Sequence, residues 1–477
     1  MIHLSDRRLL FFLIIICAIL IPVTGICADT IKPPQYIGNT NNPYILPDGS
    51  GPGFWLSAAI GLVAGMLSST IGAGGGLIVV PALMTAGISG IYAVGSEIFR
   101  LFLFSAIEAV RMGLNKRINY KMAIIMTAGT AAGGFAGFSL SSSIFLADPA
   151  GTDVFISTMI IFWLIIYSFI IIPDFREASH KYALELLRKE NAEKEKEAAI
   201  QTGASQSTEE ATPPKEAANS SKTEKKSTKD SALISFPDEE PWEIARTIRT
   251  MNFPPYIDFP TTVKDKVLAP EEELAPTNEE ALDEAKKIVD LSEASPYSRI
   301  PVLPAFLLAT VGGFFMALTG SAGIVLSFTV LTKGFGCVAA IVAGTDLVRL
   351  ALSSGALTMG AFGLNGFINI YCITGLIAGT MTGIHLGGKA IRYIEPYRIK
   401  GLVSLVVVSV IINRLLALPG QLRKAGADIS YGISTTLDQS ALYIMIIGMV
   451  VFCGWLFYAL VHDIIRDMKP TLDEEAK

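Results

Sequence analysis

The chain has 477 residues, 51% of them hydrophobic and only 17% charged, with a formal net charge of −5. Its mean hydropathy of +0.49 and its repeated apolar stretches near the ~20 residues that span a bilayer exclude an ordinary soluble domain and predict an all-α polytopic membrane protein. The acidic balance argues against nucleic acid as a partner, leaving the lipid bilayer and a small solute. Five cysteines give no disulfide framework, because Cys17 and Cys27 sit in the leader and Cys337, Cys372 and Cys453 in apolar segments. No cofactor and no metal site is expected.

At the N-terminus Arg7 and Arg8 precede an apolar run from Leu9 to Ile21, then Pro22, Gly25 and Ala28. This is the layout of a secretory signal peptide, with an uncleaved anchor as the alternative because Ile26 is large for the cleavage site. The order predicted from there is a signal peptide over 1–28, an extracytoplasmic segment over 29–53 and a first transmembrane repeat over 54–173. A charged cytoplasmic insert over 174–300, a second transmembrane repeat over 301–418 and an extracytoplasmic loop over 419–440 follow, then a last transmembrane helix over 441–462 and a cytoplasmic tail over 463–477. The insert opens with a helix-like run, KYALELLRKENAEKEKEAAI, and passes into Pro-, Ser- and Glu-rich sequence that reads as largely disordered. Around 242–260 its aromatic and proline content rises, which suits a short ordered piece on the membrane domain.

Within the first apolar segment lies TIGAGGGLIVVP, with Gly72, Gly74, Gly75 and Gly76. Each glycine weakens a helix by ~1 kcal/mol relative to alanine. In lipid, a loosened backbone survives only where it is buried in protein or lines a cavity.

Sliding the second half onto the first by 249 positions aligns GSEIFRL (95–101) with GTDLVRL (344–350) and carries Thr70 onto Thr319. TIGAGGGL then meets TGSAGIVL, so the break recurs at Gly320, Ser321 and Gly323. One residue of slip later Ile118-Asn119 meets Ile368-Asn369, and Gly129, Gly133 and Gly137 meet Gly379, Gly383 and Gly387, spacings suited to close helix packing. Arg111, Lys116, Arg117 and Lys121 mark one loop as cytoplasmic, and the loop at 147–153 has no basic residue. In the second half the neutral loop (363–366) precedes the basic one (Lys389, Arg392, Arg398, Lys400), the reverse order. That fits only if each broken segment begins and ends on one side of the membrane, as a re-entrant hairpin, and the two repeats are inverted. Inverted repeats with discontinuous helices are the architecture of secondary transporters.

Glu97 and Arg100 stand i, i+3 on one helix, and Asp346 and Arg349 repeat the spacing. A charge at membrane depth costs at least ~2.5 kcal/mol on insertion scales, so such groups pair or face water. One reading has Arg100 and Arg349 drawing an anion toward the breaks, where Thr70, Gly72, Gly74, Gly75, Gly76, Thr319, Gly320, Ser321 and Gly323 would bind it, while Glu97 or Asp346 takes up a coupling proton. The other makes them neutral structural pairs stapling the halves together. Glu108 is placed to pair with Arg111, and Lys333 reads as a snorkelling interfacial lysine.

The stretch GLVAGMLSSTIGAGGGLIVVPAL, followed by YAVGSEIFRLFLFSAIEAVRMGLNKRINY, resembles the signature of the TauE/SafE sulfite exporter family. The second copy is degenerate, with Ile324 and Val330 where the first has Gly75 and Pro81. The resemblance spans about 53–172 and 303–418, and it implies movement of sulfite, sulfoacetate or other sulfur-containing or organic anions across the inner membrane. Two rivals stand beside it. GISG (87–90) and GIHLGG (383–388) can be written as a rhomboid-like protease dyad of Ser89 and His385. The insert can be read as a docking element for a cytoplasmic protein partner, with the membrane part as a sensor.

Overall fold

The computed structural model describes residues 54–71, 76–114, 118–203, 254–258, 299–320, 327–335, 337–390, 394 and 396–475. The protein is an all-α polytopic membrane protein. Among the described residues seven helices are long and apolar enough to cross a bilayer, and two shorter apolar ones flank the first glycine cluster. The predicted signal peptide, much of the insert and residues 476–477 lie outside the described residues.

In the first half the apolar segments become α1 (Phe54–Ile71), α2 (Gly76–Thr85), α3 (Gly90–Leu114), α4 (Tyr120–Ala147) and α5 (Pro149–Gly203). The last of these continues through Pro173 and into the charged start of the insert, so the first transmembrane repeat has no helix boundary at 173. Two short strands, β1 (Tyr256–Asp258) and β2 (Arg299–Pro301), pair antiparallel with Ile257 opposite Ile300. Both isoleucines pack with Met122, Met126, Ala305, Leu331 and Phe335 of the membrane domain.

The second half contains α6 (Val302–Thr319), a π-helical turn at Val330–Gly334, α7 (Ala339–Leu357), a second π-helical turn at Thr358–Gly363, α8 (Ile370–Ala390), α9 (Pro396–Lys424) and α10 (Tyr431–Glu475). Across the stretch read as a loop over 419–440, α9 runs on through Pro419 to Lys424 and α10 begins at Tyr431.

Helix starts are set by local chemistry that recurs at the repeat spacing. Asn119 caps α4, its Oδ1 accepting from the Met122 N–H at 3.2 Å, and Asn369 does the same for the Cys372 N–H of α8 at 3.2 Å. The backbone N–H of each of these asparagines donates to a hydroxyl of the other half: Asn119 to Thr345 and Asn369 to Ser96, both at 3.0 Å.

The glycine stripes do for the interior what the caps do at the ends. A Cβ at Gly133 would stand 1.8 Å from the Thr310 carbonyl oxygen, and one at Gly383 would stand 2.1 Å from that of Leu62. Helix α4 therefore lies directly against α6, and α8 against α1, each pair joining one half to the other. In both pairs the contacts advance together along the chain, Gly129, Gly133 and Gly137 meeting Phe306, Thr310 and Phe314 in turn. Helices α3 and α7 behave oppositely: Gly95 faces Phe362 and Phe367, whereas Phe102 faces Gly355. These repeat-related helices run antiparallel.

The segment holding the first break starts and finishes at one end of the bundle. Phe54 abuts Gly375 near the start of α8, and Ser89 and Gly90 bond Asp153 near the start of α5. The segment holding the second break has its own ends at the opposite side, where Ala305, Phe335 and Cys337 share a core with Met122 at the start of α4.

Candidate functional site

Both glycine clusters are expected to interrupt helices; the first falls between two described helices, and the second begins where Gly320 ends one. Helix α1 stops at Ile71 and α2 starts at Gly76; α6 stops at Thr319 and helix resumes at Ser327. Gly72, Gly74, Gly75, Ser321 and Gly323 lie outside the described residues, as does the side chain of Thr70. Gly76, Thr319 and Gly320 are described, and they lie close together. Gly76 and Thr319 line one small cavity with Leu77, Pro81, Ile160, Trp163 and Leu164.

Gly320 closes α6 in the left-handed region, at φ 85°, with its N–H donating to the Met316 carbonyl at 2.8 Å. A Cβ there would stand 2.5 Å from Val80 Cγ2 and 3.2 Å from Glu97 Cγ. The second half's break is thus pressed against α2 and against the carboxylate-bearing side chain of α3.

The two acid–arginine pairs are buried deep in the bundle. Glu97 is 0% exposed and Arg100 1%. Arg100 Nε donates to Glu97 Oε2 at 2.7 Å and Nη2 to Oε1 at 2.6 Å, a bidentate fork. Arg349 Nε donates to Asp346 Oδ1 at 2.7 Å, and Ser327 bridges the pair by donating to Asp346 at 3.0 Å and accepting from Arg349 Nη2 at 2.8 Å.

Each guanidinium also reaches a threonine of the opposite half. Arg100 Nη1 points to Thr380 Oγ1 at 3.5 Å and Arg349 Nη1 to Thr130 Oγ1 at 2.9 Å. Thr130 and Thr380 follow Gly129 and Gly379 in the two glycine stripes. The pairs are therefore part of the contact between halves, and removing one member of such a buried pair costs on the order of 3–5 kcal/mol.

Two other buried groups, one at the site and one away from it, carry no signal in the repeat. Trp163 of α5 lines the cavity, is 5% exposed, and its Nε1–H has no hydrogen-bond partner among the described residues. Arg414 of α9 is 0% exposed and sits with Asn413, Thr85, Asp153 and Ser89. Its Nε donates to Asn413 Oδ1 at 2.8 Å and its Nη2 to the Thr85 hydroxyl, while Asn413 Nδ2 donates to the Ala441 carbonyl at 2.7 Å. An arginine inside the apolar run IINRLL is the signal that singles out this cluster. It lies at the end of the bundle where α3 and α5 begin, away from the described parts of the breaks.

Several expectations need correction. Lys333 does not snorkel: it is 7% exposed, held in the π-helical turn after the second break. A π-helical turn shifts its following side chains round the helix, and this one turns the lysine inward. Ser89 and His385 do not form a dyad. Ser89 donates to Asp153 at 2.9 Å, whereas His385 is exposed sixteen residues beyond Asn369, about 24 Å along α8 from the end near Ser89. Glu108 is half-buried, and the Arg111 side chain lies outside the described residues.

Among the described residues, crossing helices, the ends of two interrupted segments at one small cavity and a buried bidentate pair thus stand together. Residues 57–210 match the model of the family described as Sulfite exporter TauE/SafE. The match takes in α1, the first break, α2, the Glu97–Arg100 pair and α5 with Trp163. No curated protein and no solved structure matches the chain. TauE/SafE proteins are membrane transporters of sulfur-containing anions, and over its first half this chain has their pattern.

Proposed function

We propose that the protein is a secondary transporter of the inner membrane that moves a small anion, sulfite or a sulfonate foremost, by alternating access. The observation that carries this reading is the meeting of Gly76 and Thr319, one from each break, at a single cavity. Interrupted helices near the midplane of two related halves are where secondary transporters hold their substrates. Helix starts such as that of α2 present unpaired N–H groups that favour negative charge.

We infer further that the halves are inverted. The antiparallel packing of α3 on α7 supports this, since two equivalent crossing helices can be related that way only by an axis in the membrane plane. So does the opening of the two broken segments at opposite ends of the bundle. In this reading Glu97 takes up the coupling proton. Neutralising it leaves Arg100 with an unbalanced positive charge beside the second break, which an incoming anion offsets.

Proteoliposomes holding the purified protein are expected to accumulate at least one of sulfite, thiosulfate, sulfoacetate or sulfate faster than protein-free vesicles, and an imposed pH gradient is expected to raise the level reached. Flux of none of these, with simple carboxylates equally inert, would remove the transport reading. The orientation has its own test. In a cysteine-depleted background, a cysteine in place of Asp148 is expected to react with a membrane-impermeant thiol reagent in intact cells, and one in place of Tyr120, at the other end of α4, to be protected. Protection of the first and labelling of the second would reverse the assigned topology.

A further inference from the structure

The arginines that a sequence reader assigns to the substrate are, in this structure, engaged elsewhere. Arg100 gives Nε and Nη2 to Glu97, and Arg349 gives Nε, Nη1 and Nη2 to Asp346, Thr130 and Ser327. Neither guanidinium is among the residues that line the cavity, so the donors of the lining itself are the ones nearest an anion there.

Among the described residues, the lining contains a side-chain donor without a partner. Trp163 is 5% exposed, and its Nε1–H has no partner although buried tryptophan N–H groups normally find one. An unsatisfied buried donor of this kind costs on the order of 1–3 kcal/mol, so its retention asks for an explanation. Trp163 is also rigidly held: its ring stacks on Phe315 with centroids 5.1 Å apart and planes 28° off parallel. Phe315 is one turn before Thr319 on α6, so the stack ties the indole to the arm that carries the second break. Across the same cavity stands Gly76, the first residue of the ten-residue α2, whose opening N–H groups have no acceptor within the helix.

We infer that Trp163 Nε1–H is a substrate donor, binding one oxygen of a small sulfur oxyanion at the N-terminus of α2. This rests on the transport reading and adds a contact that neither repeat nor glycine motif contains. An anion so placed receives neutral, directional donors from α5 and α2 together with the positive end of the α2 dipole. The rest of the lining, Leu77, Pro81, Ile160 and Leu164, is apolar, and apolar surroundings strengthen such bonds.

Trp163→Phe keeps a ring to stack on Phe315 and deletes only the donor and part of the ring's bulk. In proteoliposomes tested with sulfite, thiosulfate and sulfoacetate, the variant is expected to show an apparent KM raised about tenfold or more for the anion that the wild-type protein carries, with Vmax within about twofold. Trp55→Phe, at an exposed position, is expected to change neither. In wild-type protein with 15N-labelled indoles, the Nε1–H resonance that disappears in Trp163→Phe is expected to shift as that anion is titrated in. An unchanged KM, a loss confined to Vmax, or a resonance that stays fixed while the anion is carried would overturn the assignment of Trp163 and leave the transport reading standing. Absence of flux of all three anions in the wild-type protein would instead sink both.

Discussion

Gly320→Val is expected to abolish anion transport while the protein still reaches the membrane. Two effects act at this position. Gly320 has φ 85°, a conformation that costs L-residues roughly 1–2 kcal/mol and a β-branched one more. The new Cβ would also lie 2.5 Å from Val80 Cγ2 and 3.2 Å from Glu97 Cγ, so α2 and α3 must retreat from the second break. If the two breaks share one substrate, that retreat opens the very site they form. Flux in proteoliposomes, alongside a size-exclusion profile to show intact folding, measures it. Gly320→Ala combined with Val80→Ala removes most of the clash but keeps the strain, and partial recovery is expected. Wild-type flux in the valine variant would mean that the break is a packing device and that the cavity beside it is incidental.

Glu97→Gln is the second large effect, expected to eliminate accumulation driven by a pH gradient while exchange of substrate for substrate persists. Glutamine imitates the protonated acid in shape and charge, so Arg100 stays permanently unbalanced and the cavity stays attractive to an anion. Coupling requires that this state come and go with the proton, and a residue that cannot ionise removes the cycle. The substitution leaves a buried guanidinium without its carboxylate, which destabilises the fold, so thermal stability must be measured beside flux. Asp346→Asn provides the comparison. Asp346 is held by Ser327 as well as Arg349, while Glu97 alone touches the position of Gly320, so accumulation is expected to survive in the asparagine variant. Unchanged pH-driven accumulation in Glu97→Gln would make Glu97 a structural partner of Arg100 only.

Much of the architecture was legible because lipid removes choices. Crossing segments must be apolar and helical, so hydropathy alone located them, while helices can run past the end of an apolar run, as α5 does beyond Pro173 and α10 does before residue 441. The two acid–arginine pairs were legible for the same reason, since charges in an apolar run are too costly to be accidental. Lys333 was misread because an interfacial lysine and one turned inward by a π-helical turn have the same sequence.

What the sequence determined by itself was the inventory and its duplication: crossing helices, two glycine breaks, two buried pairs and two glycine stripes at matching positions. These depend on local backbone requirements and on the cost of charge in lipid, both of which are properties of single segments. Which segment meets which was decided only by tertiary structure. Nothing local says that Arg349 will bond Thr130 and Arg100 point to Thr380, or that Gly76 and Thr319 will line one cavity. Those contacts arise because α4 packs on α6 and α8 on α1 through stripes too small to hold the backbones apart. Trp163 is the extreme case: in the sequence it is one more aromatic in an apolar helix, and only the tertiary structure stacks it on Phe315 of α6, with its N–H unpartnered among the described residues.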